Sequence, residues 1–138
     1  MNPVLKIQKT VNAPIDRVYE AFLSPEDLKH WFYASEGWTT PYAEIDPKPG
    51  GRLRIGFRDP SGENTFDYEG AFVKLEKPVL IAYELADGRK VTLRFIALSP
   101  EKTRVLERFE SDGQMPLEMQ RAGWKAQLDH LEEYLAGT

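Results

Sequence analysis

Few side chains in this chain could do chemistry, and their types narrow what that chemistry is. There are two histidines and no cysteine. His30 stands beside Trp31. His130 precedes Glu133 by three residues, a spacing at which side chains on one helix face meet, and a solvated surface pair accounts for it. No His–carboxylate–His spacing marks a metal site. The missing cysteines remove thiol nucleophiles, thiolate metal sites and disulfides together. The serines fall in turns or caps without a nucleophile motif. Gly50 and Gly51 lead into a strand rather than a helix N-terminus, which argues against a phosphate cradle. Proton transfer and hydrogen bonding remain. Glu107, Tyr68 and Tyr83 fall in apolar registers, where a carboxyl can act as acid or base and a phenol needs a partner for its hydroxyl. Lys9 interrupts another apolar register. A lone buried charge is costly and calls for compensation.

Aromatic residues are the other candidates. Trp31, Phe57, Phe66, Tyr68, Phe72, Tyr83, Phe95, Phe109 and Trp124 fall on expected inward faces. Core filling accounts for most of them, and a cavity lined by the rest is the functional reading. Met115 and Met119, at the start of the last helix, suit either an adaptable cavity mouth or plain packing.

The elements that must position these residues can be read from periodicity. Val4 to Val11 reads as a strand. Ala13-Pro14 opens a short helix with Asp16 in its first turn. Ser24-Pro25-Glu26-Asp27 reads as the capped start of a second short helix carrying Leu28, Trp31 and Phe32. From Pro41 the pattern alternates. Pro47-Lys48-Pro49-Gly50-Gly51, Asp59-Pro60-Ser61-Gly62, Asp87-Gly88 and Ser99-Pro100 separate about six strands, which implies an antiparallel meander. From about Pro116 to Leu135 the stripe Leu117, Trp124, Leu128, Leu131, Leu135 predicts one long helix, with Glu118, Lys125, Asp129, Glu132 and Glu133 on the wet side. At 1.5 Å per residue, ~20 residues reach ~30 Å, enough to cross a sheet. Gly123, inside that helix, predicts close approach of its backbone to the sheet.

The class is therefore α+β, a sheet with one apolar face covered by the final helix. The 138 residues have the size of one domain, spanning 1–138. A net charge of −4 without a basic run or Arg/Lys stripe argues against nucleic acid. No run approaches the ~18 apolar residues of a membrane span. Met1-Asn2-Pro3-Val4-Leu5-Lys6 lacks the basic and apolar segments of a signal peptide, so a cytoplasmic protein is expected.

The chain resembles the START-like (SRPBCC) superfamily and, within it, the domain family named after the activator of heat-shock-protein-90 ATPase. The resemblance rests on Ala13-Pro14 with Val18 and Phe22, Leu28 with Trp31-Phe32, Asp46-Pro47 with Gly50-Gly51, Gly70, Pro78, Thr103-Arg104, and Gly123-Trp124 with Leu128, Leu131 and Leu135. It implies the helix-grip fold: a curved antiparallel seven-stranded sheet, two short helices and one long C-terminal helix over a cavity. In that fold the first and last strands are neighbours. Leu5–Ser111, Lys9–Glu107 and Val11–Val105 then fit one register. That juxtaposition is either a strand-edge ion pair, a bulge turning both outward, or a polar device for a ligand.

These readings converge on a domain that binds a small apolar or aromatic molecule without metal or organic cofactor. The expected cavity is lined by Trp31, Phe57, Tyr68, Tyr83, Phe95, Glu107, Met115, Met119 and Trp124, and it spans ~300–1,000 Å³ if functional. Two alternatives follow from the resemblance. One is a cyclase- or hydratase-type enzyme using Glu107 with Tyr68 or Tyr83. The other is a chaperone-contact module, although the further domain that accompanies co-chaperone activity is not in this chain.

Overall fold

A computed structural model describes residues 3–137. Met1, Asn2 and Thr138, which the expected 1–138 unit and the reading of the N-terminus include, lie outside the described residues. In chain order the elements are β1 (Val4–Val11), α1 (Ile15–Ala21), α2 (Pro25–Trp31), β2 (Thr39–Ile45), β3 (Arg52–Arg58), β4 (Thr65–Glu76), β5 (Leu80–Leu85), β6 (Lys90–Ser99), β7 (Lys102–Glu110) and α3 (Leu117–Ala136). The strands form one curled antiparallel sheet in the order β1-β7-β6-β5-β4-β3-β2. β2 to β7 are a meander of neighbours, and β1 returns beside β7, so α1 and α2 bridge from one edge of the sheet to the other. This is the helix-grip arrangement.

Alternation sets which face is covered. Leu5, Ile7 and Val11 on β1, and Thr103, Val105, Glu107 and Phe109 on β7, are all buried, with exposed or half-buried residues between them. α3 buries Leu128, Leu131 and Leu135. It starts at Leu117, with Pro116 as its N-cap. Leu117, expected in the apolar stripe, is instead exposed. That end is held by polar groups: the Gln120 amide accepts from the Asp112 N–H at 3.0 Å and donates to the Met115 carbonyl at 2.7 Å and Ser111 Oγ at 3.1 Å.

The short helices are pinned by one carboxylate. Ser24 caps α2 through the Asp27 N–H at 3.2 Å. The Asp27 carboxylate takes two bonds from Arg17 of α1, at 2.7 and 3.0 Å, and one from the Tyr134 hydroxyl of α3 at 2.6 Å. Bidentate charge-assisted bonds of this kind are strong. They hold the Asp27 carboxyl below the usual range, with the Arg17 hydrogen bonds the leading cause.

Two expectations are corrected here. β1 pairs with β7 so that Leu5 faces Phe109, Ile7 faces Glu107 and Lys9 faces Val105, two residues away from the expected register. Lys9 shares the inner face with Glu107 as expected, but its ammonium reaches Asp129 at 2.8 Å and Glu132 at 3.6 Å on α3. A long flexible stem can span from sheet to helix and leave its charge near water, whereas Glu107 is deeper. Gly123 does not abut the sheet either. A Cβ there would meet only the Ala34 methyl at 3.8 Å, ordinary contact.

Candidate functional site

Three strands bring the buried and half-buried polar groups together under the N-terminal half of α3. Tyr68 on β4 lies opposite Ile55, Tyr83 on β5 opposite Phe72 and Val91, and Glu107 on β7 opposite Ile7 and Leu93. The two phenol oxygens are 2.7 Å apart. Burial pushes both phenols well above their ordinary range, and the nearby Glu107, when ionised, raises both further. They therefore stay protonated: one phenol donates to the other, which leaves one hydroxyl proton free. Glu107 is 3% exposed. Burial alone lifts its carboxyl to about 8, with neither an opposite charge nor a hydrogen bond offsetting the effect. At neutral pH it keeps its proton and can donate like the phenols. No side-chain N or O among the described residues is both sealed and unpartnered. The Glu107 oxygens, which no hydrogen bond reaches, therefore border a gap that water can enter.

Aromatic rings surround this polar group. Trp124 of α3 stacks on Phe109 at 4.2 Å and 11°, and its ring lies 6.2 Å from Tyr68. Phe32 stacks on Phe57 at 5.7 Å and meets Tyr68 at 5.6 Å. These rings nearly fill the space in which a cavity was expected. Flat rings stacked face to face leave less void than expected of them on a curved sheet. An interior void of about 20 Å³ remains, lined in part by Phe32, Phe72, Tyr83 and Leu93. That is room for about one water.

The larger opening is at the rim. A pocket of about 200 Å³ lies between the segment after α2, Phe57 on β3 and Gln127 on α3, lined by Tyr33, Ala34, Ser35 and Trp38 as well. Phe32, Phe57 and Tyr68, in mutual contact, form a partition between this mouth and the interior. The mouth's loop is fastened at two points. Thr40 Oγ1 donates to the Phe32 carbonyl at 2.8 Å. His130 stacks on the Tyr33 ring at 4.0 Å, and its Nδ1 lies 2.6 Å from the Tyr33 carbonyl. A carbonyl only accepts, so Nδ1 carries the proton. His130 thus holds the mouth instead of pairing with Glu133.

The structure brings Phe57, Tyr68, Tyr83, Glu107 and Trp124 together around this space. It sets the other four candidates apart. Trp31 is fully buried beside α1, its Nε1 donating to the Ala21 carbonyl at 3.1 Å. Phe95 packs on Tyr19 and Phe22. Met115 and Met119, before and at the start of α3, are 48% and 58% exposed. Phe66, expected to point into the core, is exposed and touches Trp38 at the rim. Sequence reasoning missed Phe32, Tyr33, Trp38 and Gln127 as mouth residues. The available signal was the run Trp31-Phe32-Tyr33 followed by Trp38, aromatics in a connecting segment that no strand register explained. His30 lies outside the site, stacked on Tyr134 and 3.5 Å from Glu26. Among the described residues no group of three or more His, Cys, Asp or Glu could hold a metal, and no helix is long and apolar enough to cross a membrane.

A family model described as "Activator of Hsp90 ATPase homolog 1-like protein" matches residues 12–136. None of the curated proteins matches the chain. Among solved structures, the AHSA1-like protein from Aeromonas hydrophila is 29% identical, with a TM-score of 0.86 over 96% of this chain and 93% of that one. A Cytophaga hutchinsonii protein is 30% identical, with a TM-score of 0.80 over 96% and 91%. A Nitrosomonas europaea protein, 22% identical with a TM-score of 0.85 over 97% and 94%, shares the fold.

Proposed function

The chain belongs to the family of activator of Hsp90 ATPase homolog 1-like proteins, a START-like fold of ligand-binding type, and on that premise we propose that it binds one small neutral aromatic or apolar molecule in the space gripped by α3. The observation that carries this reading is the trio Tyr68, Tyr83 and Glu107. A core selected only for stability gains nothing from a buried carboxyl without a partner, and each such group costs free energy. A ligand carrying a hydrogen-bond acceptor, such as a carbonyl, offers the Glu107 carboxyl and the one free phenol proton the partner that the protein does not. The aromatic walls supply the apolar contact, as in most small-molecule sites. Entry is through the mouth, with Phe57 and Phe32 moving aside; the mouth and interior void together fall short of a drug-sized site, so binding requires that displacement. Ligand-dependent opening of this kind needs the ligand to favour the open form.

The test is titration of the protein with N-phenylnaphthylamine, a neutral fluorescent dye. Saturable binding near one per chain is expected. Phe57→Arg should abolish it, and Met119→Glu, outside the site, should leave it unchanged. An absence of saturable binding, or equal binding by the Phe57 variant, would remove this reading.

A further inference from the structure

The outer face of the sheet carries an open groove of about 620 Å³ over β1, β7 and β6 that continues round the β1 edge to α3. Five cations line it, Lys6, Arg94, Arg108, Arg121 and Lys125, with Glu107 the one acid in the lining. Strand pairing sets Lys6 directly opposite Arg108 and places Arg94 opposite Leu106. Arg121 comes round the β1 edge from α3, its Nη1 donating to the Lys6 carbonyl at 3.0 Å. Lys125 stands one turn further along the same helix. Of the five, only Arg121 meets an acid, Glu118 at 3.8 Å. The other four make no ion pair among the described residues. Like charges opposite one another on neighbouring strands are destabilising.

The far edge of the same face shows the ordinary solution. There Arg54 meets Glu44 at 3.0 Å, Asp67 at 3.0 Å and Glu69 at 3.6 Å, and Arg52 meets Glu69 at 3.2 Å. In a protein of net charge −4, acids are plentiful. Five cations gathered with a single acidic contact are therefore an unneutralised site.

We infer that this groove docks an acidic, extended polypeptide segment that carries an apolar side chain. Strands lie about 4.8 Å apart, so cations on β1, β7 and β6 spread over ~10 Å. One small anion cannot touch them all, whereas an extended chain places carboxylates at that scale. Leu106, half-buried among the cations, provides an apolar seat that a phosphate backbone would not use. The surface is grooved rather than flat, which suits a chain better than a bilayer. Arg121 already occupies the Lys6 carbonyl, so recognition runs through side chains and not through an added strand.

Fluorescence polarisation tests this with the intact protein and a short labelled peptide alternating glutamate and leucine. Saturable binding that weakens steeply with salt is expected. The double variant Arg94→Glu, Arg108→Glu should weaken it by at least about tenfold and gain affinity for the peptide with lysine in place of glutamate. Arg94→Gln with Arg108→Gln, a milder change, should give an intermediate loss and guards against misfolding of the reversed variant. Dye binding at the mouth should be the same in all of them. The inference is overturned by an absence of saturable peptide binding or by binding that survives charge reversal. Tighter, variant-sensitive binding of inorganic polyphosphate or phosphatidylglycerol vesicles than of the peptide would overturn it too.

Discussion

The two halves of α3 are held in different ways. Its C-terminal half buries Leu128, Leu131 and Leu135 and is tied to β1 through Lys9–Asp129 and to α2 through Tyr134–Asp27. Its N-terminal half exposes Leu117 and Met119, half-buries Trp124, and covers the half-buried Tyr68 and the buried Tyr83 and Glu107. One end is an apolar clamp whose Asp129 and Glu132 are paired with Lys9. The other lies over polar groups that the protein itself does not fully satisfy, next to the mouth at Gln127. The proposed entry of a ligand fits this asymmetry, since regions with few buried apolar contacts open at lowest cost.

The comparison is broken or sharpened first at Leu131. Leu131→Ala in the clamp should destabilise the protein by about 2–5 kcal/mol. Trp124→Ala, for all its larger ring, should cost less, because Trp124 is only half-buried. Equal losses in urea denaturation would erase the distinction between the halves.

Next comes Glu107, whose carboxyl titrates near 8 in the fold against an ordinary 4.5. Between those values the unfolded chain has released the proton that the folded chain still holds. The contribution of this group to stability should therefore be greatest below about 4.5, fall as pH rises, and level off above about 8, by a total of about 5 kcal/mol. Glu107→Leu should remove that slope between these pH values. A stability profile unchanged by the substitution would place the carboxyl in water rather than in the core.

A smaller loss is expected at the hydroxyl pair. Tyr83→Phe removes the 2.7 Å bond to Tyr68 and should cost about 1 kcal/mol, read from the thermal midpoint. Smallest, and opposite in sign, is Gly123→Ala. The added methyl meets only Ala34, so the helix propensity gain of up to about 1 kcal/mol should appear as added stability.

Local chemistry made much of this molecule legible. Ser24-Pro25 and Asp27 marked the start of α2, and Pro116 with no later proline marked α3, because capping and helix continuation depend on a few adjacent residues. The turns at Gly50-Gly51 and Asp87-Gly88 and the alternation of Val91, Leu93 and Phe95 placed the meander for the same reason. The inward face of Tyr68, Tyr83 and Glu107 also followed, since side chains on a strand alternate with period two. What the tertiary structure decided was who meets whom across long separations. β1 joins β7 with no turn to set its register, so a slip of two residues kept every side chain on its correct face but moved the partner of Lys9 from Glu107 to α3. The mouth arose from a loop, a strand and a helix, whose aromatics have no common period. The cation groove likewise appears as no run or stripe in the chain: Lys6, Arg94, Arg108, Arg121 and Lys125 become neighbours only when the sheet closes in the order β1-β7-β6 and α3 reaches round its edge, because proximity in a sheet is set by strand order and not by distance along the sequence.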